Sequence, residues 1–136
     1  MMMRQTVEDE RLVRLTAICL ALPETTRNIQ ANHAAFLVRS KTFAYFLKDH
    51  HSDGIVSVAC KVLPGDHLLL SQTHPERYYL PAYIGARGWV GMRLDVGEVD
   101  WDEVAEVVFH SYCLTATKRL VMQARGVGHG APRMER

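Results

Sequence analysis

The segment "HSYCLTATKRL", His110 to Leu120, gathers an imidazole, two hydroxyls, a thiol and an amine at His110, Ser111, Tyr112, Cys113 and Lys118. Spacing decides what such groups can do together. In a helix, neighbours in sequence point about 100° apart, so Ser111 and Tyr112 diverge. His110 and Cys113, three apart, share a face. A Cys–His couple works through a thiolate, which a helix N-terminus or nearby positive charge favours. Cys113 falls in the second half of its expected helix, where the dipole opposes a thiolate, and no third group is in place to orient the histidine. The cluster therefore reads as helix packing.

The stretch "DHHSDG" (Asp49–Gly54) offers His50, His51 and Asp53 to a metal. Zinc sites bring more ligands at defined spacing, and Asp53-Gly54 is a strong turn signal, so a hydrated turn is expected. The histidines at 33, 67, 74, 110 and 129 are scattered, with no H-E-x-x-H pattern. "GARGWVG" (Gly85–Gly91) has three glycines but leads into a strand, whereas a dinucleotide fingerprint leads into a helix. Those glycines suit a turn and close strand packing. No G-x-S-x-G elbow occurs. No catalytic residue, metal or cofactor is expected, and the chain is not read as an enzyme.

Cations and aromatic residues give more. Arg39 and Lys41 flank one expected hairpin tip, Lys48 leaves the next strand, Lys61 lies on a third, and Arg87 and Arg93 surround the last. Hairpins bearing Arg and Lys can lie along a DNA duplex as wings and contact its phosphates. Tyr78, Tyr79, Tyr83 and Trp89 define an alternative, the rim of a pocket for a small molecule or a protein partner. The whole chain carries a formal charge of only +1, with eight basic and seven acidic residues up to Leu68 and eight of each after it. Neither half is a basic arm, so nucleic-acid binding must rest on a local patch.

The elements that position these groups follow from periodicity. A chain of 136 residues suits one domain, placed here at 4–122, with a mobile Gly- and Arg-rich tail at 123–136. Leu12, Leu15, Cys19 and Leu22 recur on one face and predict a helix over 7–22, started near Thr6 and ended by Pro23. The polar run "TTRNIQANH" reads as irregular. Strands are expected over 34–38 and 42–48, joined by a tight "RSK" turn, and over 55–62 and 88–96. A short helix begins near Pro64 and ends at His74-Pro75. Residues 77–88 read as loop with one brief extended piece. Asp100 caps a final helix over 101–121, with Glu103 at capping-box spacing. The expected core includes Phe36, Phe43, Phe46, Val58, Leu69, Trp89, Leu94, Val104 and Val108. Three widely separated cysteines fit reduced thiols in a cytoplasmic setting, and no apolar run is long enough to span a bilayer.

Read in order, "LPE" (Leu22–Glu24), "KTFAYF" (Lys41–Phe46), "ACKVLPGD" (Ala59–Asp66), "YYLPAYIGARGWVGMRLD" (Tyr78–Asp95) and "DWDEVAEVVFHSYCLTATKRL" (Asp100–Leu120) resemble the MmcQ/YjbR family of small bacterial proteins. The resemblance implies an α+β, frataxin-like fold: an antiparallel sheet packed by N- and C-terminal helices. It also implies a double-wing motif that binds double-stranded DNA, and it carries no catalytic residues. Frataxins bind iron with an extended acidic first helix; here Glu8, Asp9 and Glu10 are followed at once by Arg11 and Arg14, so iron handling is not implied.

Overall fold

The computed structural model describes residues 8–129. One antiparallel sheet is formed by β1 (Thr25–Gln30), β2 (His33–Val38), β3 (Lys41–Lys48), β4 (Val56–Lys61), β5 (Tyr78–Tyr79) and β6 (Trp89–Arg93), in the spatial order β1-β2-β3-β4-β6-β5. The helices are α1 (Glu10–Leu20), α2 (Asp66–Thr73), α3 (Trp101–Thr115) and α4 (Lys118–His129). The α+β expectation holds: α1 packs on β1 and β3, and α3 packs on β3 and β4. None of the described helices is long and apolar enough to cross a membrane.

Helix α1 buries Leu12, Leu15 and Cys19 as its periodicity required, and Asp9 caps it by accepting from the Arg11 N–H. The start expected near Thr6 lies outside the described residues. Strand alternation divides the sheet into two faces. Phe36, Phe46, Val58, Cys60, Val90 and Met92 face the helices, while Leu47, Ala59 and Trp89 form a smaller cluster on the other face with Tyr45 and Ile84. The β2–β3 register shifts at Phe36/Leu37, so Phe43 is an extra residue in β3 and both Phe43 and Ala44 are buried.

Several expectations are corrected. The stretch read as irregular contains β1, an edge strand whose outward positions are polar and whose Arg27 bonds Glu8 and Thr16. Charge on an edge strand hides its strand character and discourages pairing with other chains. Leu69 is 57% exposed because α2 lies outside the core and buries no residue fully. The single final helix is two: Ala116 adopts extended geometry, and the Thr117 hydroxyl accepts from the Leu120 N–H to start α4. Helix α4 runs from Lys118 to His129; residues 130–136 lie outside the described residues. Asp100 does cap α3, accepting from Asp102 and Glu103 N–H groups. The Glu103 carboxylate, however, takes hydrogen bonds from Tyr78 and Arg77.

Candidate functional site

The residues that opened the sequence reading hold the fold together. Ser111, fully buried, donates to the Phe43 carbonyl and accepts from the Lys61 N–H at 2.9 Å. Tyr112 meets the Phe43 ring edge-on, with centroids 5.5 Å apart, and its hydroxyl donates to the Pro23 carbonyl at 2.8 Å. One turn of α3 thus ties the end of the first helix to β3 and β4. Cys113 and His110 line a hollow of about 280 Å³ with Asp66 and Arg125. Burial raises the Cys113 pKa, with Arg125 pulling only weakly the other way, so the group is a thiol at neutral pH.

Register places the cations. The two-residue turn Arg39-Ser40 joins Val38 to Lys41, Lys61 ends β4 opposite the start of β6 at Trp89, and Arg87 lies two residues before that start. Arg39, Lys41, Lys61 and Arg87 therefore occupy one end of the sheet. Helix α3 runs toward the same end, as its Ser111 bonds require, and delivers Lys118 and Arg119 there. Among the described residues, the acids at this end are Glu24 and Asp66. Arg39 bonds Glu24 at 2.7 Å and Arg119 approaches the same carboxylate at 3.6 Å, so one negative charge serves two positive ones. Lys61 sits over the Trp89 ring, 5.7 Å from its centroid. Lys41, Lys61 and Arg87 are in no ion pair among the described residues.

Lys48 and Arg93 lie at the opposite end, where Lys48 pairs with Val56 and Ser57 with Arg93. Both are neutralised. Lys48 meets Asp9 at 3.2 Å, and Arg93 grips Asp95 with two bonds of 3.0 and 3.2 Å. Hydrogen bonds from Arg11, outweighing burial, hold the Asp9 pKa far below the carboxylate range. Asp95 is also held low: burial opposes its charge, but bonds from Arg93 and the Val56 N–H win. The six expected cations thus do not share one surface, and the reason is topological. The β2–β3 and β3–β4 hairpins share β3, so their turns point to opposite ends of an eight-residue strand, roughly 25 Å apart.

The expected pocket rim also divides. Tyr78 is buried on the helix face with its hydroxyl on Glu103, while Tyr79, on the other face, shares a 2.7 Å hydrogen bond with Ser57. Trp89 is 8% exposed and Tyr83 76%. The four side chains do not converge. Gly91 explains part of this packing: a Cβ there would stand 2.8 Å from Tyr79 Cζ, so glycine lets the tyrosine ring lie across β6. Gly88, at φ +93°, makes the turn into that strand.

A six-stranded antiparallel sheet packed by helices makes this an α+β protein. The chain belongs to the YjbR family, whose model matches residues 20–114. The fold is similar to the crystal structure of Deinococcus radiodurans protein DR2400, of the DUF419 domain type, at 24% identity over 86% of this chain and 87% of that one, with a TM-score of 0.62. None of the curated proteins matches.

Proposed function

We propose that this protein is a non-enzymatic, cytoplasmic DNA-binding protein that contacts double-stranded DNA through the basic end of its sheet. The observation that carries the proposal is that Lys41, Lys61 and Arg87 stand at one end without carboxylate partners among the described residues. They leave the same end of β3, β4 and the approach to β6, two strand spacings, or about 10 Å across, with Lys41 on the helix side of the sheet beside Val38 and Lys61 on the other side over Trp89. Phosphates on one DNA strand repeat every ~3.4 Å along the axis, so a sheet end of this width spans about three of them. Arg39, Lys118 and Arg119 widen it, offset among the described residues by Glu24 and Asp66. Acids crowd the other end, among them Asp9, Asp49, Asp53, Asp95, Asp100 and Asp102. A nearly neutral chain arranged in this way meets a polyanion with one orientation.

The experiment is a titration of labelled duplex DNA over a range of salt. Three to four phosphate contacts predict that log K falls linearly with log salt with a slope of about −3 to −4. Absence of binding at low salt, or a flat salt response, overturns the proposal.

A further inference from the structure

Three histidines meet at the acidic end of the molecule. His33 opens β2, opposite Gln30, and His50 and His51 come from the β3–β4 connection. The His33 and His50 ring centroids are 5.4 Å apart, His50 and His51 4.1 Å, and His51 and Tyr83 4.7 Å. His33 Nε2 and His50 Nδ1 are both closed to solvent and have no hydrogen-bond partner. One buried, unpartnered imidazole nitrogen is costly. Here there are two, on touching rings that border one hollow of about 170 Å³. The loop that delivers His50 is itself strained: Asp49, His51 and Ser52 all have positive φ, between +53° and +61°, where non-glycine residues are uncommon.

The lining selects the ligand class. It contains Asn28, Gln30 and Tyr45 but no lysine, arginine or carboxylate, so it suits neither a bare anion nor a hard cation that needs several oxygens. Neutral imidazole is the commonest protein ligand for borderline transition ions. Two imidazole nitrogens, each about 2.0–2.1 Å from a tetrahedral ion, bring their ring centres to on the order of 5 Å, close to the His33–His50 separation.

We propose that His33 and His50 are the nucleus of a binding site for a borderline divalent metal ion of the zinc, nickel or copper(II) type. Among the described residues no three His, Cys, Asp or Glu side chains already converge on a point. The exposed His51 supplies the third nitrogen by turning its ring away from Tyr83, and water completes the shell. The site is independent of the basic end, which lies across the sheet, so its failure leaves the DNA proposal untouched.

The test uses untagged, metal-stripped, full-length protein titrated with zinc, nickel and copper(II) salts by calorimetry, with imidazole ¹⁵N spectra recorded in parallel. The expected result is saturable binding of one ion per chain for at least one metal, with the His33 and His50 nitrogen resonances shifting first. His33→Ala and His50→Ala should each weaken binding at least tenfold, while His74→Ala leaves it unchanged. Should either variant fail to fold, the wild-type resonances carry the test. No saturable binding, spectral changes confined to other histidines, or binding that survives loss of both rings overturns the proposal.

Discussion

Replacing Ser111 by alanine tests whether the α3 cluster is structural. The hydroxyl serves two backbone groups at once, the buried Phe43 carbonyl and the half-buried Lys61 N–H. Alanine leaves both without that partner, the carbonyl in a place water does not reach. Each such loss costs about 1–3 kcal/mol, so roughly 3 kcal/mol is a moderate sum for the pair. An unfolding entropy of ~2.1 cal/mol/K per residue over this chain length gives ~0.29 kcal/mol/K at the midpoint, so Tm should drop by about 10 °C. The assay is urea unfolding of wild type and Ser111→Ala, alongside Ser71→Ala, whose hydroxyl bonds Leu68 on the exposed face of α2. The account expects a lower midpoint with unchanged m for Ser111→Ala and a change within about 0.5 kcal/mol for Ser71→Ala. A Ser111→Ala protein as stable as wild type would refute the reasoning.

Gly91→Ala should destabilise the sheet by about 1–3 kcal/mol, because the new methyl group meets the Tyr79 ring; the shifted Tyr79 ring resonances and the unfolding midpoint report it. Asp9→Asn removes the charge that caps α1 and holds Arg11 and Lys48. Because folding lowers the Asp9 pKa, its contribution is complete above the unfolded value of about 3.9 and is lost as pH falls through the folded value. The stability gap between wild type and Asp9→Asn should therefore be constant from pH 5 to 7 and narrow progressively below about pH 4 in acid-unfolding curves.

Much of this architecture is legible in residue order, because amphipathic period, turn dipeptides and caps act locally. Asp100 announces α3, and Arg39-Ser40 announces its hairpin. What stays hidden depends on neighbours. β1 is written in polar residues apart from Ile29, because only one of its edges is paired and its outward face is wet. The break between α3 and α4 carries no Gly or Pro, only Thr117 acting as a cap. The cations Arg39, Lys41, Lys48, Lys61, Arg87 and Arg93 can be named from the sequence, but their sorting to two ends cannot. That sorting depends on which strands pair and on carboxylates such as Asp9 and Glu24, far away in sequence. One rule was within reach: consecutive hairpins sharing a strand must turn at opposite ends, which already separates Lys48 from Lys41. His50 and His51 stand out as a pair in the sequence, but their contact with His33 does not, because His33 comes from another strand.

The central claim is positional, so the decisive measurement holds charge constant and varies place. Lys41→Gln/Lys61→Gln and Lys48→Gln/Arg93→Gln remove the same two charges from opposite ends of the sheet. Duplex affinity is measured against salt for both and for wild type. The account predicts that the first variant binds more weakly and that its log–log slope flattens by about 1.8, at ~0.9 per lost phosphate contact, while the second keeps the wild-type slope. Equal losses in the two variants, or a loss confined to Lys48→Gln/Arg93→Gln, would contradict it.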